Sequence, residues 1–144
     1  ELYAKPRNEF VAQFIGSPAM NLLSGKISAT GNITTIALEG GCEAKSAVPS
    51  RDDDLGREVN IGVRPEDLVV SDRETIYSGL VEITEALGEI TLLYFESETK
   101  DGSGVVAKLP GIYSELRGRN VRVTAAPDKV HLFADGKSLL YRDD

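Results

Sequence analysis

The sequence predicts a mainly β fold: an OB-like antiparallel barrel with a short N-terminal helix and extra strands. Short stretches alternate apolar and polar residues, the pattern of strands with one buried face. Turns containing glycine or proline separate these stretches at roughly the 8 to 12 residue spacing typical of antiparallel barrels and sandwiches. The clearest stretch is 59–63, in which Val59, Ile61 and Val63 alternate with Asn60 and Gly62.

The N-terminal part predicts a helix before the strands begin. Asn8 can cap this helix, Gly16 ends it, and its apolar residues fall on one stripe: Phe10, Val11, Phe14 and Ile15. Two helical turns are too short to be stable alone, so we expect the helix to dock on another part of the protein.

Strands follow from residue 24 onward. Residues 24–30 and 34–38 flank Gly31 and Asn32, which is a hairpin signal, and 43–48 is a further short strand. A polar loop at 49–56 contains three consecutive carboxylates and leads into the strand at 59–63.

A corner follows this strand. The ring of Pro65 keeps Arg64 out of the helical region and ends ladder pairing, so the chain turns there. Glu66 and Asp67 keep the turn solvated, and 68–70 return to the core. The corner is either structural, with Arg64 and Glu66 pairing or capping nearby backbone, or a docking surface.

The second half predicts another hairpin, from strands at 80–86 and 90–96 joined by Leu87, Gly88 and Glu89. Val81 and Ile83 are expected on one face of it. Ile90, Leu92 and Tyr94 are expected on another face. The remaining predictions are strands at 105–109, 121–123, 130–133 and 139–141, and one helical turn at 112–116.

Residue types that carry catalysis or metal binding are sparse. His131 is the only histidine, and its place on a strand, pointing away from the face of Val130 and Leu132, favours a structural or surface role. Cys42 is read as inert. The run 52–54 is read as a solvated loop because it lacks the spacing of a calcium loop. The G-x-G-x-x-A match at 102–107 precedes a strand rather than a helix and is rejected. We therefore expect no catalytic residue, metal or cofactor site.

Charge and hydropathy limit the partners. Sixteen basic and 23 acidic residues give a net charge of -7, which disfavours direct nucleic-acid binding. No apolar run approaches the roughly 20 residues of a membrane span, so no direct membrane insertion is expected. The only methionine is Met20 and the sequence begins at Glu1, so we expect a piece of a longer protein.

Four motifs occur in a fixed order along nearly the whole chain: ELYAKPRNEFVAQFIGSPAMNLL at 1–23, VNIGVRPEDLVV at 59–70, GLVEITEALGEITLLY at 79–94 and VHLFADGKSLL at 130–140. Together they resemble the C-terminal regulatory region of ATP-binding subunits in sugar-importing ABC transporters, of the maltose and glycerol-phosphate type. Two positions depart from the pattern: Ala19 replaces a common basic residue and Asp67 replaces a common histidine.

The resemblance implies a segment, 1–20, that leaves a nucleotide-binding domain, followed by an OB-like or TOBE regulatory domain at 21–144. ATP and Mg²⁺ would bind only in the preceding domain. The implied partners are a homodimer partner, the ATP-binding domain of the same chain and, through the parent, membrane permease subunits. The implied location is cytoplasmic and peripheral to the inner membrane.

Three hypotheses about function follow from the sequence. The first is a regulatory and dimerisation domain whose interface contains Arg64, Pro65, Glu66, Leu87, Gly88 and Glu89, in two turns, 64–67 and 87–89, that are expected to be exposed. The second is a small-ligand or oxyanion sensor that uses backbone N–H groups at 84–88 or 103–104. The third, a nucleic-acid-binding OB domain, is disfavoured by the charge.

Overall fold

The computed structural model describes residues 20–39, 41–96, 104–134 and 137–139. The helix predicted at 8–15 lies outside these residues, as do most of the glycine-rich turn near 102 and the end of the last strand predicted at 139–141. The described strands are β1 (Asn21–Ala29), β2 (Thr34–Leu38), β3 (Glu43–Ser46), β4 (Glu58–Val63), β5 (Val69–Val70), β6 (Tyr77–Leu87), β7 (Ile90–Phe95), β8 (Val106–Pro110), β9 (Asn120–Thr124), β10 (His131–Ala134) and β11 (Lys137–Ser138). Short 3₁₀ turns lie at Asp52–Asp54, Pro65–Asp67, Ser114–Leu116 and Pro127–Lys129.

The first sheet has the order β11-β10-β4-β1-β2-β3, and every neighbouring pair is antiparallel. Its far strand, β3, returns to the chain segment that precedes β10. The Ser46 hydroxyl donates to the Val130 carbonyl at 2.6 Å, and the Ala47 N–H donates to the Pro127 carbonyl at 2.9 Å. These bonds close β10, β4, β1, β2 and β3 into a five-stranded barrel, which confirms the predicted OB-like fold.

The second sheet has the order β5-β9-β6-β7-β8. All of its strands lie between β4 and β10 in the sequence, so this sheet is an insertion into the barrel. The Asn21 side chain joins the two sheets because its amide donates to the Val106 carbonyl at 2.8 Å and accepts from the Val106 N–H at 2.9 Å. One hydrophobic cluster contains residues of both sheets, including Ile61 and Leu93.

The predicted hairpins are confirmed. β1 pairs with β2, and β6 pairs with β7 through a tight turn at Gly88, whose φ of 68° suits a residue without a Cβ atom. The strands predicted at 43–48, 59–63, 105–109, 121–123 and 130–133 and the helical turn at 112–116 are also present.

Two predictions about strand faces are wrong. Val81 is fully buried but Ile83 is 52% exposed, because the β6–β7 register shifts between them: Val81 pairs with Phe95 and Ile83 with Tyr94. The extra residue, Glu82, forms a bulge that moves Ile83 to the opposite face. Residues 69–70 do not return to the core either. They form a two-residue edge strand, about half exposed, that pairs with β9, whereas Leu68 is buried.

Candidate functional site

The corner after β4 is a 3₁₀ turn. Arg64 has extended backbone, with φ -70° and ψ 146°, and Pro65 begins the turn. The Asp67 N–H donates to the Arg64 carbonyl at 2.9 Å. The turn packs against β8. The predicted change of direction at Pro65 is thus confirmed.

The exposure of this corner differs from the expectation. Arg64 is 4% exposed and Pro65 is buried, because the turn lies against β8, whereas Glu66 is exposed. The expectation of an accessible surface is therefore wrong for Arg64 and Pro65 and correct for Glu66.

Asp67 lies in a group of charges from two turns. Burial is the largest influence on its carboxyl and raises the pKa above the ordinary value. The negative charges of Glu66 and Asp128 also raise this pKa, whereas the positive charges of Lys129 and Arg64 lower it. Asp128 and Lys129 belong to the turn before β10. The corner and that turn therefore form one electrostatic cluster. This cluster could not be predicted from the sequence, because its residues are far apart along the chain.

The other turn proposed for an interface lies at the tip of the β6–β7 hairpin. Leu87, Gly88 and Glu89 are exposed, and the Glu89 carbonyl accepts the Gly111 N–H at 2.6 Å. This turn lies beside the end of β8, because Ile90 pairs with Pro110.

The two candidate turns lie toward opposite ends of β8. Val63, just before the corner, pairs with Asn21, whose side chain binds Val106 at the start of β8. The hairpin tip lies beside Pro110, at the end of that strand. A patch containing both turns would therefore have to span β8, a distance of about 13 Å.

The acidic loop is only partly solvated. Asp52 and Asp53 are exposed, as expected, but Asp54 is buried. Its carboxylate accepts the Arg51 N–H at 2.8 Å and lies 3.5 Å from Nη1 of Arg57. Asp54 therefore stabilises the loop structurally. Within the described part of the chain, no group of three or more His, Cys, Asp or Glu residues is placed to hold a metal ion.

The remaining candidates have structural surroundings. His131 is partly buried and pairs with Gly62, and the free thiol of Cys42 packs against the core. Of residues 103–104, considered for oxyanion binding, 103 lies outside the described residues. Of residues 84–88, considered for the same role, 84–87 are extended and paired with β7. Extended backbone does not gather successive N–H groups around one point, so this stretch does not form a nest.

An open cleft of about 270 Å³ between β3 and residues 74–76 and 124–127 contains two carboxylates and one ammonium group.

The three strands β6, β7 and β8 present a surface that was not predicted from the sequence as a site. Cross-strand partners share one face of a sheet. The register therefore places nine residues on this face in three rows, which we call the outer face: Ile83, Tyr94 and Val106; Glu85, Leu92 and Lys108; Leu87, Ile90 and Pro110. The sequence did indicate part of this face, because Ile90, Leu92 and Tyr94 were expected to lie on the same side of their strand. The bulge that adds Ile83 was not visible in the sequence.

The five-stranded barrel with an inserted second sheet defines this chain as an OB-type module. A family model described as the TOBE domain matches residues 61–133, and one described as the MalK OB fold domain matches residues 16–68. The TOBE model covers half of the chain, and the chain belongs to the TOBE domain family.

Three curated relatives are ATP-binding proteins of importers or transporters. The alpha-glucoside transport ATP-binding protein AglK of Rhizobium meliloti (strain 1021) is 47% identical over 134 residues, which are 92% of this chain and 37% of AglK. The sn-glycerol-3-phosphate import protein UgpC of Ruegeria sp. (strain TM1040) is 37% identical, over 92% of this chain and 35% of the relative. The maltose/maltodextrin import protein MalK of Photorhabdus laumondii is 34% identical, over 94% of this chain and 37% of the relative.

The resemblance drawn from the four motifs is thereby confirmed. The chain spans a little over a third of the length of these relatives.

A solved structure of the cytoplasmic molybdate-binding protein ModG, with molybdate bound, matches with a TM-score of 0.60 over 79% of this chain and 95% of ModG. It is 16% identical, so it shows a shared fold alone. No helix within the described ranges is long and apolar enough to span a bilayer.

Proposed function

We propose that this chain is the regulatory region of the ATP-binding subunit of an ABC transporter that imports a sugar or a related solute. The supporting observation is the 47% identity to AglK over 92% of the chain. A shared segment of this length, in a family with OB and TOBE modules, favours the same place in the same kind of subunit.

The proposal gives each part of the protein a role. Residues 1–20 would connect to a nucleotide-binding domain that holds ATP and Mg²⁺, and residues 21–144 would form the regulatory region. Catalysis would lie outside this region. The subunit would act as a homodimer with membrane permease subunits, at the cytoplasmic face of the inner membrane.

A chimera of AglK tests this proposal. The corresponding region of AglK is replaced by residues 1–144 of this chain, and ATP-dependent alpha-glucoside uptake is measured in cells that lack their own AglK. We expect uptake to be retained, because the graft would preserve the contacts of a regulatory region. A matched control chimera carries the ModG barrel, which shares the fold at only 16% identity, and is expected to lose uptake.

The levels and folding of both chimeras are compared by immunoblotting and limited proteolysis. Loss of uptake by a stable graft of this chain would contradict the proposal. Calorimetric titration of the 144-residue chain with molybdate tests the oxyanion-sensor hypothesis, for which stoichiometric binding would be required.

A further inference from the structure

Strand β3 is the terminal strand of the first sheet, and among the described strands only β2 pairs with it. Just beyond β3, the Ala47 N–H donates away from β2, to the Pro127 carbonyl at 2.9 Å. The backbone groups of an antiparallel strand alternate in direction from residue to residue. The N–H and C=O groups of Glu43 and Lys45 therefore also point away from β2, toward the outer edge of the sheet.

This edge borders the open cleft of about 270 Å³. Glu43 and Lys45 line one wall of the cleft, and residues 74–76 and 124–127 line the other. Within the described part of the chain, no hydrogen bond engages the outward backbone groups of Glu43 and Lys45. The cleft therefore contains a short strand edge that is free to pair with another strand.

The outer edge of β8 is covered in a way that this edge is not. The Asn21 side chain pairs with the outward groups of Val106, Pro110 has no N–H group, and the corner at 65–67 packs against the strand. The edge of β3 instead carries two charged side chains, Glu43 and Lys45. Charges at an edge discourage indiscriminate pairing, so a strand that pairs here has to match them.

We propose that this edge binds an extended segment of another protein, which joins the first sheet as an antiparallel strand beside β3. Glu43 and Lys45 each exchange a pair of backbone hydrogen bonds with one residue of the segment. Their side chains are exposed on one face, because Ala44 between them is buried on the other. Opposite charges stabilise directly facing residues, so an acidic residue lies across from Lys45 and a basic residue lies across from Glu43.

The direction of pairing fixes the order of these residues. An antiparallel partner passes Lys45 before Glu43, so its acidic residue precedes its basic residue, with one residue between them. The intervening side chain lies on the same face as the buried Ala44. Ile76 and Ala125 belong to the core cluster and also line the cleft, so this side chain is small and apolar. The recognised order is therefore acidic, small apolar, basic.

Two blocked pentapeptides of the same composition test this inference. Thr-Glu-Val-Lys-Thr has the proposed order, and Thr-Lys-Val-Glu-Thr has the two charges exchanged. Each peptide is titrated into the ¹⁵N-labelled 144-residue chain, and amide NMR spectra are recorded. The first peptide is expected to bind in the high-micromolar to millimolar range, because it pairs through only a few residues. Binding should shift the amide signals of Glu43 and Lys45 and slow their hydrogen exchange.

The second peptide is expected to bind about tenfold more weakly, because both facing pairs then carry like charges. Exchange of the charges in the protein should reverse this preference. The double variant Glu43→Lys, Lys45→Glu keeps the net charge and the exposed positions, and it is expected to prefer the second peptide by a similar factor. Damage to the fold would weaken the binding of both peptides and would not reverse their order.

A matched control exchanges another exposed pair of charges. Lys26 on β1 and Glu58 on β4 are cross-strand partners away from the cleft. The double variant Lys26→Glu, Glu58→Lys should therefore keep the preference of the parent chain for the first peptide. Circular dichroism checks the fold of both double variants.

Equal binding of the two peptides by the parent chain would overturn the proposed docking edge, as would the absence of binding at millimolar peptide. Shifts of the Glu43 and Lys45 signals with protein concentration alone would assign the edge to a second copy of this chain and would also overturn it. The inference does not rest on the proposed function. Uptake by the AglK chimera is measured independently, so a failure of the peptides to bind would leave the proposed function intact.

Discussion

The hydroxyl of Tyr94 donates a hydrogen bond to Oε1 of Glu85 at 2.9 Å, from β7 to β6 across the outer face. This hydrogen bond raises the pKa of Tyr94 above its ordinary value, with smaller contributions from burial and from the negative charge of Glu85.

Replacement of Glu85 by glutamine is expected to lower the pKa of Tyr94 toward its ordinary value. The neutral amide repels the phenolate less and accepts a weaker hydrogen bond than the carboxylate. NMR titration of ¹³C-labelled tyrosine rings measures this change, and Tyr113 serves as an internal control. A Tyr94 pKa that is the same in both proteins would contradict the assigned cause.

The acidic loop provides a matched pair of substitutions. Asp54→Ala is expected to reduce the free energy of unfolding by about 1–3 kcal/mol, because it removes the acceptor of the Arg51 N–H and the ion partner of Arg57. Asp53→Ala, at an exposed neighbour, should change stability by less than about 0.5 kcal/mol. Urea denaturation measures both values, and equal effects would show that burial of Asp54 is unimportant.

Gly62 permits close packing beneath β4. An added Cβ atom would lie 2.5 Å from Sδ of Met20 and 2.7 Å from Cε2 of Phe133. Gly62→Ala is therefore expected to cost about 1–3 kcal/mol of unfolding free energy through overpacking. Combining it with Met20→Ala should cost less than the sum of the two single changes, because the smaller side chain makes room. Strict additivity in thermal or urea denaturation would contradict this account.

The raised pKa of Asp67 makes the stability of the folded protein depend on pH. Its raised pKa means that the folded protein binds the proton more tightly than the unfolded chain does. The stability contributed by this group is therefore present at low pH and is lost as the pH rises from the ordinary value near 3.8 through the raised value. Asp67→Asn should raise the free energy of unfolding at pH 7 relative to the parent.

Denaturation curves from pH 3 to pH 7 measure this effect. An Asp→Asn change at exposed Asp53 controls for the loss of one charge. A loss of stability at pH 7 in the Asp67 variant alone would show that favourable contacts of the carboxylate outweigh its burial.

Local patterns predicted most of the strands and both hairpins correctly. The alternation in β4 identified Val59, Ile61 and Val63 as core residues, and all three are buried. Such predictions succeed where a strand has one buried face and regular pairing, because side-chain direction then follows sequence parity.

The failures arose where pairing or packing is set by distant parts of the chain. A bulge opposite β7 reverses the exposure of Ile83, and packing against β8 buries Arg64. The two hydrogen bonds that close the barrel include that between Ser46 and Val130, which are 84 residues apart. These relationships cannot be predicted from local sequence. The outer face depends on the bulge, which places Ile83 on it.

The insertion of the second sheet between β4 and β10 has a consequence for how the protein is made. Strand β10 pairs with β4 and follows it by nearly 70 residues. During synthesis, this edge of β4 therefore stays unpaired until the whole second sheet has been made. Such long-range pairing slows folding, and an open strand edge can meanwhile recruit other chains. Nascent chains that stop within β5 to β9 are therefore expected to depend on chaperones more strongly than the finished protein does.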